Sequence, residues 1–179
     1  MYYLTSHMKY WTDTTKELGL NEEESDILAE SNWNKCFKID TSSLEQISSP
    51  VHSELNIYTD GSKLDGRVGA AYVFYEVNRL TQENCYRLPD YCTVFQAEIK
   101  AILEAASALS REQKYKYVRI FVDSQAAIKA LTSKEITSKL VLEAIQTLNI
   151  ASAGRNVTIY WTKAHVGTCL LYTSPSPRD

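Results

Sequence analysis

The sequence predicts an α/β domain, a mixed five-stranded sheet with helices on its faces. Three observations carry that reading. The run Leu55-Asn56-Ile57-Tyr58-Thr59 is rich in β-formers and ends in Asp60-Gly61-Ser62. A second run, Tyr117-Val118-Arg119-Ile120-Phe121-Val122, ends the same way in Asp123-Ser124. Between them Val94 to about Ser110 is helical in pattern and carries Glu98. Set side by side and parallel, the two strands deliver Asp60 and Asp123 to one edge of the sheet. That edge, outside the carboxyl ends of parallel strands, is where open α/β sheets place their sites.

The elements follow in order. Leu55–Asp60 is the first strand, and Gly61 to Gly66 is expected to turn the chain. Val68–Val77 is the second strand, in which Gly69, Ala70 and Ala71 suggest close packing against a helix. Asn78-Arg79 turns again, and about Leu80–Leu88 is a third strand of mixed polarity, expected at an edge. Pro89-Asp90-Tyr91 breaks it. In the helix that follows, Phe95, Ile99, Ile102, Leu103, Ala106 and Leu109 recur at helical spacing. Glu98 falls in or beside that buried stripe, whereas Glu104 is expected to be a solvated charge. Tyr117–Asp123 is the fourth strand. Ser124-Gln125 opens a short helix through Leu131, and a further helix runs from about Ser138 to Ala151, ended by Gly154. Val157–Thr162 is the fifth strand and leads into Lys163-Ala164-His165-Val166-Gly167. The order is β-β-β-α-β-α-α-β, with crossover helices supplying the parallel partners.

Residues 1–53 read differently, as an extension and linker. Glu22 to Glu30 suggests a short acidic helix, Trp11 and Trp33 need a surface to bury them, and Asp40 to Pro50 turns to Ser and Thr. The segment resembles the end of something larger. The domain proper is expected over 54–168, with 169–179 a disordered tail that reads as foreign to the domain.

Composition narrows the function classes. A hydrophobic content of 44% supports a real core and excludes wholesale disorder. No apolar run approaches the roughly 18 residues of a membrane span, so no membrane partner is expected. Net charge is −3, so contact with nucleic acid must rest on a local patch. The cysteines at 36, 85, 92 and 169 make no C-x-x-C pair and read as reduced thiols of an intracellular protein, cytoplasmic or nuclear.

Singly, each acid is an ordinary surface carboxylate. Two aspartates terminating apolar strands, with a glutamate on the helix between, point instead to one shared site. Three carboxylates meeting there repel one another unless divalent metal neutralises them. Paired metals about 4 Å apart suit phosphoryl chemistry, and hard oxygen ligands from several elements suit such metals.

Thr59-Asp60-Gly61-Ser62, Gln96-Ala97-Glu98, Val122-Asp123-Ser124-Gln125 and Trp161-Thr162-Lys163-Ala164-His165-Val166-Gly167 together resemble the successive motifs of type 1 ribonuclease H. More narrowly they are similar to the ribonuclease H domain of non-LTR retrotransposon reverse transcriptase polyproteins. The resemblance runs from about Leu55 to Thr168, nearly two-thirds of the chain. It implies a metal-dependent endoribonuclease that cuts the RNA strand of RNA–DNA hybrids with two Mg²⁺ ions, Mn²⁺ being possible. It implies Asp60, Glu98 and Asp123 as metal ligands and catalytic residues, and His165 as a loop residue helping proton transfer or product departure. Gly61 and Ser62 would approach a phosphate or sugar through their backbone, and Ser124 and Gln125 would contact the RNA strand. It also implies that the chain is part of a larger polyprotein. Basic residues such as Lys63, Arg67, Lys129 and Lys163 are candidates for phosphate contacts. The order Asp-Glu-Asp distinguishes the chain from integrases and transposases, whose Glu follows the second Asp. It also lacks the D-x-E of proofreading-type exonucleases.

The resemblance stops at Gly167-Thr168. The family continues into a last helix with a fourth metal-binding Asp, and the corresponding position here is Pro175, in a stretch that also holds Pro177. Two prolines forbid that helix. The expectation is therefore a domain missing its last helix, with weak or absent activity. The alternative function is a non-catalytic hybrid-binding or interaction module on the same fold.

Overall fold

The computed structural model describes residues 12–13, 29–30, 35–41 and 54–162. Its strands are β1 (Thr12–Asp13), β2 (Ala29–Glu30), β3 (Lys38–Asp40), β4 (Glu54–Leu64), β5 (Arg67–Glu76), β6 (Arg79–Leu88), β7 (Tyr117–Val122), β8 (Glu135–Ile136) and β9 (Asn156–Trp161). Its helices are α1 (Val94–Ser110), α2 (Gln125–Thr132) and α3 (Lys139–Ala151).

The expected five strands form the body of one mixed sheet in the order β6-β5-β4-β7-β9. β4 pairs antiparallel with β5 and parallel with β7, and β9 lies parallel to β7 on its far side. Two short strands extend the sheet. β1 pairs with β6, so the third strand of the body is not the outermost, and β3 pairs parallel with β9. A separate two-stranded ribbon joins β2 to β8. Ala29-Glu30, expected at the end of an acidic helix, is therefore strand; the rest of that stretch, with Trp11 and Trp33, lies outside the described residues.

Residues 35–41 precede the expected start of the domain and are nonetheless built into it. Phe37 is 5% exposed and sits in the main core. Lys35 Nζ donates to the carbonyls of Leu131 and Ser133 at the end of α2. The Cys36 N–H donates to Asn149 Oδ1 on α3 at 2.8 Å.

The first hairpin turns later than expected. β4 continues through Gly61 and Ser62 to Leu64, and the two-residue turn is Asp65-Gly66, with φ of +50° and +76°. Positive φ at both central residues gives the backbone twist that matches paired strands, and Asp-Gly adopts it readily. The second hairpin turns at Val77-Asn78, one residue earlier than expected. Val77 has φ of +59°, a strained conformation for a β-branched side chain.

α1 lies over β4 and β5, with α2 and α3 beside it. Leu55 and Ile57, alternating along β4, meet Ile99, Ile102 and Leu109 of α1 in a core that is 0% exposed at all five. Of the two β5 alanines expected to pack against a helix, Ala70 joins this core, whereas Ala71 is buried outside it. The other alternation of the strands places Tyr58 against Phe121, ring centroids 4.8 Å apart, and Phe121 against Tyr160 at 5.7 Å. On the same side Arg119 Nε donates to Asn56 Oδ1 at 3.0 Å, satisfying two buried polar groups together. Among the described residues no helix is long and apolar enough to cross a membrane.

Candidate active site

Each of the three acids arrives from a different element. Asp60 lies on β4 beyond its pairing with β7, which ends at Tyr58↔Phe121. Asp123 is the first residue after β7, and Glu98 is in the second turn of α1. One carboxylate oxygen from each lies within 4.8 Å of the others.

Gly61 makes that convergence possible. A Cβ built on it would lie 2.3 Å from Glu98 N, 2.7 Å from Ala97 C and 2.8 Å from Glu98 Cα. Those atoms are helix backbone and cannot step aside cheaply, so α1 rests on β4 only where the strand has no side chain. The Gly61 N–H in turn donates to the Glu98 carboxylate. The start of α1 is fixed by a capping box: Gln96 N–H donates to Thr93 Oγ1 at 3.1 Å and Thr93 N–H to Gln96 Oε1 at 2.8 Å. Lys63, farther along β4, donates to the carbonyls of Asp90 and Cys92 and ties the loop before α1 to the same strand.

The electrostatics are adverse. Glu98 is 5% exposed, and its carboxyl is pushed up to about 8, first by burial and then by the negative charges of Asp123 and Asp60. The Gly61 N–H opposes that rise only in part. Glu98 Oε2 and Asp123 Oδ1 are buried and have no hydrogen-bond partner. Buried polar atoms are ordinarily satisfied, so two orphaned oxygens in one cluster of acids mark a place for a cation. The donor set is all oxygen and suits a hard divalent ion. The residues present therefore fit such an ion.

An RNase H family model matches residues 52–172, more than half of the chain. The chain belongs to the RNase H family. Among solved structures, RNase H1 from the halophilic archaeon Halobacterium salinarum NRC-1 aligns over 62% of this chain and 86% of its own, with a TM-score of 0.51 and 18% identity. A likeness at that identity shows the fold alone. No curated protein matches the sequence. RNase H membership carries, as general properties of the family, hydrolysis of RNA in RNA–DNA hybrids, hybrid binding and dependence on divalent metal.

The other expected residues lie around the RNase H carboxylates or outside the described residues. Gly61 and Ser62 border the cluster on β4, but the Gly61 N–H is engaged by Glu98. Ser124 caps α2, its Oγ accepting the Ala127 N–H at 3.2 Å, and Gln125 is exposed as the first residue of that helix. His165 and Lys163, with the break at Pro175, lie outside the described residues. Of the candidate phosphate contacts, Lys63 is committed to two backbone carbonyls, while Arg67 and Lys129 are exposed.

Glu104 departs from expectation. It pairs with Lys100 at 2.7 Å, its side chain only 21% exposed, and accepts the Tyr86 hydroxyl. The phenol of Tyr86 is pushed up by its burial and by Glu104. Glu104 is thus part of a cluster beneath α1 that includes Tyr72 and Asn84. The sequence also gave no role to Trp161, whose indole Nε1 donates to the Asp123 carbonyl at 3.1 Å. Its motif drew attention to His165 instead. Among the described residues Cys36, Cys85 and Cys92 form no disulfide.

Proposed function

We propose that the chain is a metal-dependent endoribonuclease acting on the RNA strand of RNA–DNA hybrids, derived from a non-LTR retroelement reverse transcriptase polyprotein. The observation that carries the catalytic reading is the meeting of Asp60, Glu98 and Asp123 within 4.8 Å, with two of their oxygens buried and unpartnered. These three carboxylates would hold two Mg²⁺ ions, with Mn²⁺ of the same hard class. Bound there, such ions supply an activated water and stabilise the leaving oxygen of a phosphodiester.

The chain's own residues do the rest. Glu98 is oriented by the Gly61 N–H, and Asp123 by the strand end from which it emerges. Gln125 stands two residues beyond Asp123 with a free-facing amide, which can both donate and accept, as recognition of a 2′-hydroxyl requires. Ser124 keeps its hydroxyl proton available while accepting from Ala127. Gly61 and Ser62 bring the backbone close to where a phosphate would lie, and His165 would move a proton near neutral pH. The retroelement origin is supported by the wording of the four motifs, above all Trp161 to Gly167.

The test is cleavage of a labelled RNA–DNA hybrid with Mg²⁺, beside single-stranded RNA and duplex DNA. The expected result is cutting confined to the RNA of the hybrid and lost in Asp60→Asn. Folded protein that binds the hybrid and never cuts it would make the chain a non-catalytic hybrid-binding module.

A further inference from the structure

We propose that Trp161 is a positioning residue for Asp123, its indole N–H fixing the main chain from which that carboxylate projects. The inference rests on the metal-dependent reading above and goes one residue beyond the ligands.

The end of β7 is held at three successive carbonyls. The Thr59 hydroxyl donates to Phe121 O at 3.3 Å, from β4. The Thr162 N–H donates to Val122 O at 2.9 Å, from the end of β9. The Trp161 indole donates to Asp123 O at 3.1 Å. The first two bonds hold residues inside the strand. Asp123 is one residue past it, where regular pairing has stopped; Val122↔Trp161 is the last register pair of β7 and β9. The indole carries the fixation one residue farther than the backbone does.

That residue needs it. Asp123 Oδ1 is buried without a partner, so no hydrogen bond at that oxygen sets the direction of the carboxylate. Its neighbours Glu98 and Asp60 repel it. Its position against that repulsion is set from the main-chain side, and among the described residues Trp161 supplies the side-chain donor to that main chain.

Tryptophan is chemically suited to the task. Its N–H is a donor with no acceptor role, so the bond has one sense. The ring has few torsions and is anchored on the core, so the N–H is held in place. It is also neutral. A Lys or Arg here would bring a positive charge beside the carboxylates and compete with a divalent ion, whereas an indole leaves their demand for a cation intact.

The test is Trp161→Phe, which keeps a ring on the core and removes the N–H. Calorimetric titration with Mn²⁺ on the full chain should show the ion's Kd rising about 10- to 100-fold, as for loss of an outer-sphere partner of a metal ligand. Hybrid cleavage at fixed, subsaturating ion should fall in kcat with KM within about twofold, a split that loss of packing alone would not give. A second measurement leaves position 161 untouched. In Trp11→Phe/Trp33→Phe, Trp161 is the sole tryptophan, and Mn²⁺ should quench its emission with the Kd found by calorimetry, the quench vanishing in Asp123→Asn. Unchanged Mn²⁺ affinity in folded Trp161→Phe overturns the positioning role and leaves the function standing. If Trp161→Phe does not fold, absence of the quench overturns it. Wild-type protein that binds no Mn²⁺ overturns the metal-dependent reading, and the positioning role falls with it.

Discussion

Glu98 and Glu104 lie on the same helix, both largely withdrawn from water, and their surroundings could hardly differ more. Glu104 meets Lys100 at 2.7 Å and the hydroxyl of Tyr86, so its charge is balanced from within the fold. Glu98 meets two further carboxylates and one backbone N–H, and keeps an oxygen with no partner at all. A buried carboxylate that the protein neutralises itself is part of the architecture. One that the protein surrounds with more negative charge has been left for a cation from outside. The contrast separates structural from functional acids on one helix without appeal to motif.

The sharpest way to break it is to neutralise Glu98 alone. Glu98→Gln keeps the shape and can still accept from the Gly61 N–H. Hybrid cleavage should fall more than about a hundredfold, beyond the loss of an outer-sphere partner. The melting temperature in EDTA at pH 8 should not fall, because a repulsive charge has gone. Initial rates and a thermal melt check both. A variant that is strongly destabilised and equally inactive would place Glu98 with Glu104, as a structural acid.

Gly61→Ala attacks the same site through the backbone. Its Cβ would meet helix backbone at 2.3 Å, and the helix must lift. Such overpacking costs about 3 kcal/mol, read as a lower urea midpoint, and the displaced Glu98 should take cleavage with it. Gly66→Ala is the control. It has open space around it but φ of +76°, so it should cost about 1–2 kcal/mol of backbone strain and leave cleavage per folded molecule unchanged.

Those two glycines show what was legible in the sequence. Asp60-Gly61 and Asp65-Gly66 are the same dipeptide five residues apart, and both glycines were expected in one turn. One is a hairpin turn and the other a helix seat inside a strand. Local chemistry allows either, and only the arrival of α1 decides. The acids themselves were legible because strand ends and a helical stripe are local patterns, and they converge as those patterns imply. Glu104 was not. Helical periodicity places it off the stripe that faces β4, but β6 with Tyr86 lies under that flank, and a single helix's period does not register a neighbouring strand. Residues 35–41 were missed for a related reason: Phe37 and Ile39 alternate with polar residues over a run too short to stand out, and their place against the core comes from β9, α2 and α3. Trp161 sat inside a quoted motif, yet its indole bond joins the ends of two strands far apart in sequence.

The pH dependence of stability sharpens the comparison further. Glu98 has its folded-state value near 8 against an ordinary 4.5. Below about pH 4.5 both folded and unfolded chains hold the proton, and the stabilisation is fully present. As pH rises the unfolded chain ionises first, so stability is lost progressively through about pH 8 and is level above it. In EDTA the wild type should therefore lose melting temperature relative to Glu98→Gln between pH 5.5 and 8.5. Added Mg²⁺ should close the gap, because it favours the ionised cluster. Parallel curves for the two proteins in EDTA would show that burial and the neighbouring carboxylates do not hold the Glu98 carboxyl up as their placement requires.

The smallest effect is expected at the self-sufficient acid. Lys100→Met keeps most of the side-chain volume and removes the charge that balances Glu104. Lys100 is 7% exposed, so the change leaves the Glu104 carboxylate without its ion pair in a poorly solvated place. Complete burial would make that loss severe, but the Glu104 side chain is 21% exposed and water can take over part of the solvation. The Tyr86 hydroxyl also remains as a donor. The net cost should be about 1.5 kcal/mol, near the lower end for a hydrogen bond to a charged group, read as a modest drop in urea midpoint with unchanged slope. Cleavage per folded molecule should stay within about twofold of wild type, since the charge removed is the one that balances Glu104. If Lys100→Met abolished cleavage while remaining folded, charge at the middle of α1 would be coupled to charge at its start. The helix would then carry one electrostatic system, not two.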